Sequence, residues 1–141
     1  MSDIASVLVA LASRISTGMA GDPLAGRTFA FAPDGVVTPW AATLPAGGSF
    51  LNYDVTMDGN DDLDLMVKVV VGAEFSRPAQ TQLLGYMART GSTSIRTAVY
   101  GDKTLGGTVA DVRVIGWESY GDVDWQGVTY FGAEMLLTAY T

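Results

Sequence analysis

From residue 63 to residue 71 every second position is aliphatic: Leu63, Leu65, Val67, Val69 and Val71. Side chains alternate across a strand with period two, so these five share one face, and Asp64, Met66, Lys68 and Val70 share the other. The stretch before it repeats the pattern, with Leu51, Tyr53, Val55 and Met57 set against Asn52, Asp54 and Thr56. Between the two lies Asp58-Gly59-Asn60-Asp61-Asp62, which has the turn chemistry of a hairpin. A long antiparallel pair, 51–57 against 63–71, is therefore expected.

Other segments follow the helical period. Ile4, Val7, Leu8, Leu11 and Ile15 fall on one face, Ser2 or Asp3 precedes them as a cap, and Gly18 provides a stop. A second helix begins after the N-cap Ser76, with Pro78 in the first turn and Gly91 as its end. Ala79, Leu83, Tyr86 and Met87 are its inward stripe. Ser94 caps a short third helix over residues 94–100. Two strands, 109–117 and 128–139, end the chain, the second with Phe131, Ala133, Met135 and Leu137 on one face and Tyr130, Glu134 and Thr138 on a partly exposed one.

Residues 19–48 are irregular. Pro23, Pro33, Pro39 and Pro45 recur among Gly21, Gly26, Gly35, Gly47 and Gly48, so turns interrupt any element, and no helix is expected. Short extended pieces are expected at 27–32 and 36–40. Phe29, Phe31, Val36, Val37 and Trp40 need cover: those near Phe31 from the core, and Trp40 from another subunit, as a candidate interface residue. The expectation is a single α+β domain over residues 1–141, a mainly antiparallel sheet of about four to six strands with the N-terminal helix and two central helices on one face.

Composition then narrows function. The chain has 141 residues, enough for a real core, and 48% of them are hydrophobic. Only 16% are charged, against about 25% in ordinary domains. A net charge of −7 with eight basic residues scattered singly along the chain argues against a nucleic-acid binder. Histidine and cysteine are absent, which removes Ser-His-Asp and Cys-His catalysis, disulfides and the common zinc sites. No apolar run approaches the roughly 18 residues of a membrane span, and the N-terminal apolar run has no basic region before it.

The remaining constellations favour structure over chemistry. Asp58, Asn60, Asp62 and Asp64 occupy alternate positions as in a calcium loop, but Leu63 and Val69 stand where that loop requires Gly and a bidentate Glu. Gly101-Asp102-Lys103-Thr104 lacks the glycines of a phosphate-binding loop, and Gly106-Gly107 reads as a flexible turn. Glu118 and Glu134 lie on neighbouring strands, but a turn near Asp124 sets Glu134 opposite Val114, so both are expected to be surface carboxylates rather than a glycosidase pair. Trp117, Tyr120 and Trp125 are expected to cluster at the tip of the last hairpin and, with Trp40, are the candidate interface residues. No catalytic, cofactor or metal residue is assigned.

One resemblance adds to this. Ser94-Ile95-Arg96, then Leu105-Gly106-Gly107-Thr108-Val109-Ala110-Asp111-Val112-Arg113-Val114, then Val128-Thr129-Tyr130-Phe131-Gly132-Ala133-Glu134, resemble tail terminator proteins of long-tailed (siphovirus-type) bacteriophages, and most of all those of phages that infect actinobacteria. The similarity covers residues 51–137 and is strongest after Ser94; residues 18–48 depart from the family pattern. It implies a structural, non-enzymatic virion protein that forms a ring of six subunits, caps the tail tube and ends its polymerisation. The implied partners are other copies of the chain, the tail tube protein and a head-completion or neck protein, with genome DNA passing the lumen unbound. The implied place is the head-proximal end of the tail, after assembly in the host cytoplasm. A head-completion protein, or a small ligand-binding domain using Trp117 and Trp125, are the alternatives.

Overall fold

The computed structural model describes residues 4–30, 38–46, 51–53, 61–72, 76–125 and 127–140. Along them run α1 (Ile4–Gly18), β1 (Thr28–Ala30), β2 (Trp40–Pro45), β3 (Leu51–Asn52), β4 (Asp62–Gly72), α2 (Arg77–Met87), α3 (Ile95–Tyr100), β5 (Asp111–Trp125) and β6 (Val128–Tyr140). The strands form one sheet in the order β1-β2-β4-β6-β5, with β3 also paired to β4. Every pairing is antiparallel except that of β1 with β2, so the expected α+β class is the one found.

The aliphatic alternation places β4 at the centre. Leu63, Leu65, Val67, Val69 and Val71 all face the main core, where they meet Phe131, Ala133, Met135, Leu137 and Ala139 of β6. The three helices pack on this face. Val7, Leu8, Leu11 and Ile15 of α1, Leu83 and Tyr86 of α2, and Ile95, Ala98 and Val99 of α3 join the same core. Gly18 does more than stop α1: a Cβ there would lie 2.5 Å from the Cβ of Ala98, so its bare backbone lets α1 approach α3.

The helix starts follow the expected chemistry. Ser76 Oγ accepts from Ala79 N at 3.2 Å, and Ser94 Oγ accepts from Thr97 N at 3.2 Å. Ser94 Oγ also donates to the Ala88 carbonyl at 2.6 Å, which ties the end of α2 to the start of α3. This ends α2 at Met87, four residues before Gly91. Ser2 and Asp3 lie outside the described residues.

Three expectations about strands and turns are corrected. The segment expected to lack any helix holds a 3-10 turn, Pro23–Gly26. Its cap Asp22 accepts from Leu24 N at 2.9 Å and from the Tyr86 hydroxyl at 2.7 Å. Burial, and then the bond to Asp22, push the Tyr86 hydroxyl well above the usual phenol range. Second, the extended piece expected at 36–40 begins at Trp40 and runs to Pro45, while Phe31, Val36 and Val37 lie outside the described residues. Trp40-Ala41-Ala42-Thr43 hides its alternation because two alanines occupy opposite faces.

Third, the long hairpin 51–57 against 63–71 is not the pairing described. Leu51 and Asn52 pair with Leu63 and Asp62, but β4 from Leu65 to Val70 pairs with β2. Between the pairs Pro45–Leu65 and Leu51–Leu63 the chain advances six residues (51 − 45) against two (65 − 63). The first arm of the pair is thus the earlier, Pro-bounded segment. The turn residues Asp58 and Asn60 lie outside the described residues.

Candidate functional site

β5 is an edge strand, and together with β6 it forms the longest hairpin among the described residues. Trp125 pairs with Val128, so only residues 126 and 127 connect the strands. The register therefore differs from one turning near Asp124: Val114 faces Leu137, and Glu134 faces Glu118. Bulges between Val114 and Gly116, and between Glu118 and Gly121, add residues on β5 that no reading of the alternation counts. Glu134 is also opposite Lys68 of β4 and pairs with it at 3.7 Å, both side chains being largely buried. The two carboxylates are therefore neighbours, with Glu134 held by Lys68 and Glu118 on the exposed edge.

The hairpin continues past the rest of the sheet and bends. Gly132 lies in the row Trp40, Val70, Gly132, Gly121 across four strands. A Cβ on Gly132 would lie 2.1 Å from the Val69 carbonyl oxygen, so β4 approaches more closely than any side chain permits. Opposite it, Ser119 at φ 58 and Gly121 at φ 130 turn the bulged strand through left-handed geometry. Beyond this bend the arm folds over the face opposite α1, α2 and α3. Four residues of straight strand span about 13 Å, yet the Trp125 and Trp40 rings lie with centroids 5.0 Å apart. Lys68 Nζ sits 5.3 Å from the Trp125 ring, and Val123 and Tyr130 close the cluster over Ala42 and Val70.

The four candidate aromatic residues separate accordingly. Trp40 is 0% exposed, because the chain's own arm covers it, so its expected contact with another subunit is corrected to an intramolecular one. Trp125 supplies that cover. Trp117 faces the helix side and packs partly on the main core. Tyr120, in the bulge, is 41% exposed and meets Phe131 edge-on at 5.3 Å. They form no common cluster at the tip, since the two bulges and the bend send them to different faces. The indole N–H groups of Trp40 and Trp125 are buried without a hydrogen-bond partner among the described residues.

What the sequence left scattered, the fold gathers beside β5. Arg89 follows α2, Arg96 is on α3, and Arg113 is on β5; with Met87, Tyr100 and Trp117 they line a groove of about 420 Å³. Three of the chain's eight basic residues thus converge. The Arg96 guanidinium lies over the Tyr100 ring at 4.5 Å and donates to the Arg89 carbonyl at 3.3 Å. The Tyr100 hydroxyl accepts from Val114 N at 2.9 Å, so this outward N–H of the edge strand is already taken. The only sequence signal for the groove is the Arg96–Tyr100 spacing of four on one helix face.

The loop after α3 is similarly self-contained. Asp102 accepts from Thr104 Oγ1 at 2.6 Å, Thr104 N at 3.0 Å and Gly106 N at 3.0 Å. These bonds, the Thr104 hydroxyl first, hold its carboxyl below the usual range. The N–H groups that would meet a phosphate meet this carboxylate instead. The flexible turn expected at Gly106-Gly107 is thus a bonded one. Among the described residues no three Asp or Glu side chains converge as a metal site would need, and no helix is long and apolar enough to cross a membrane. No protein-family model matches the sequence, and no curated protein matches it.

Proposed function

We propose that the chain is a tail terminator: a structural virion protein that forms a ring on the head-proximal end of a phage tail tube and ends its growth. The observation that carries this reading is a fifteen-residue edge strand, β5, whose start, within Leu105 to Val114, and whose β6 partner, within Val128 to Glu134, are stretches that resemble that family. The reading needs a chain that acts through surfaces. An open edge, a bent arm and a groove lined by three arginines are surfaces of this kind.

The mechanism is geometric. One face of the ring copies the docking surface of a tube subunit; the other lacks it, so the next tube ring finds no template. Ring closure needs a heterologous contact, in which unlike patches of identical subunits meet. Acidic side chains toward the lumen let DNA slide past, and replacing lumen-facing Asp by Lys is expected to slow its passage.

Adding the purified chain to polymerising tube protein tests the reading. Short tubes capped by a ring in electron micrographs are expected. Virions lacking the chain should carry overlong tails; tails of normal length that fail to join heads would make it a head-completion protein instead.

A further inference from the structure

β5 carries two unlike halves. Its first half, with Arg113, forms one wall of the groove that also holds Arg89 and Arg96. Its second half carries Glu118, Asp122 and Asp124, all exposed. Among the described residues none of these three arginines has a carboxylate within ion-pair distance, and none of the three acids has a Lys or Arg partner. Asp124 accepts a hydrogen bond from Thr129 at 2.8 Å, which leaves its charge uncompensated. Elsewhere the described cations are mostly engaged: Lys68 with Glu134, Lys103 with Asp111, Arg14 with the Ala98 carbonyl and Arg27 with the Thr38 carbonyl.

We infer that the arginine groove is the receptor for the acidic hairpin arm of a second copy of this chain. The groove offers three guanidiniums, and the arm beyond the bend offers two carboxylates, Asp122 and Asp124, with Glu118 at its base. Among the described residues neither set has an ion-pair partner in its own subunit, Arg96 being held only by the Arg89 carbonyl and the Tyr100 ring. The bend after Glu118 keeps the arm from reaching its own groove, because it turns the arm over the open sheet face toward Trp40. Arginine suits the task, since its planar fork binds carboxylates with two parallel bonds. Strand addition is blocked at Val114 by the Tyr100 hydroxyl, so the contact is made by side chains and is electrostatic. A chain of net charge −7 gains from concentrating its positive charge where an acidic copy must dock. This rests on the ring reading only for its head-to-tail sense.

Sedimentation of the full chain at low salt tests the contact. The groove variant Arg89→Glu/Arg113→Glu and the arm variant Asp122→Lys/Asp124→Lys change exposed positions only. Each is expected to weaken self-association by about tenfold or more, since each reverses two pairs. The chain carrying all four changes is expected to associate again, and so are the two variants mixed. Circular dichroism identifies a variant that fails to fold, and the four-change chain then decides. Unchanged mass in both folded variants, no recovery in the four-change chain, or a wild-type chain that stays monomeric at every soluble concentration overturns the inference. So does a monomer that binds pyrophosphate through the groove. A two-chain mass keeps the contact but removes the ring reading; a larger closed mass supports both.

Discussion

The two faces of the sheet are covered by different means. On one, residues from α1, α2 and α3 meet the odd-numbered positions of β4 and β6 in a continuous aliphatic core. On the other, no helix packs among the described residues, and the β5–β6 arm bends over to bury Trp40, Ala42, Val70 and Val123. The first face is held by many apolar contacts spread over several elements. The second is a small cluster, Trp40, Ala42, Val70 and Val123 with Phe29, Trp125 and Tyr130 around them, most of its cover coming from one bent arm. Damage to the first is shared among neighbours, whereas the second stands or falls with a few atoms, and those atoms also decide where the acidic arm points.

The sharpest way to break this difference is at the bend. Gly132→Ala must displace the Val69 carbonyl, and we expect a loss of about 3–4 kcal/mol or failure to fold. Gly116→Ala, on the partner strand with open space around it, is expected to stay within about 0.5 kcal/mol of wild type. Urea unfolding of the two variants decides; equal effects would mean that the close approach is not what limits the site.

Next comes the aromatic pair. Trp40→Ala is expected to cost about 3–5 kcal/mol by leaving a cavity under the arm. Trp40→Phe keeps most of the volume and removes a buried N–H that has no partner among the described residues, so its cost should fall below about 2 kcal/mol. Trp125→Ala should uncover Trp40 and shift its fluorescence to the red; an unshifted spectrum would show that the arm does not cover that face.

A smaller effect is expected at the pair beneath Trp125. Lys68→Met alone strands the Glu134 carboxylate on a largely buried site, at a cost of about 1–3 kcal/mol. Lys68→Met with Glu134→Leu removes both charges and should recover most of that stability in thermal melts. Failure to recover would mean that the ion pair itself, and not the stranded charge, supports the open face.

The smallest expected effect lies outside both faces, in the Asp102 loop. Its carboxyl is held below the ordinary value, so the folded loop binds its proton less readily than the unfolded chain does. The stabilisation is complete above the unfolded value, about pH 4, and is lost as pH falls through the lower folded value. Protection of the Gly106 amide, the slowing of its exchange relative to the unstructured-chain rate at the same pH, should fall on acidification in wild type and be lower at every pH in Asp102→Ala. Protection independent of pH would remove the carboxylate from the loop's account.

Some of this was legible residue by residue. The aliphatic period of β4, the helical stripe of α1 and the caps Ser76 and Ser94 follow from local rules that depend on few neighbours. The register of the last hairpin was not, because bulges at residues 115 and 119–120 insert residues that alternation cannot count. Trp40 reads as a candidate subunit contact from its own Pro- and Gly-rich segment; its cover comes from Trp125, eighty-five positions later (125 − 40). The groove was hidden for the same reason: Arg89, Arg96 and Arg113 are single charges in the chain and become neighbours only when α2, α3 and β5 pack.

By itself the sequence determined the secondary-structure periods, the helix starts, the α+β class and the lack of His and Cys chemistry. Each of these depends on side-chain spacing or on which groups exist at all. Tertiary structure alone decided which strand borders β4, where the last hairpin turns, what covers Trp40 and which charges meet. Those depend on long-range register, and one added residue in a strand moves every later side chain to the opposite face.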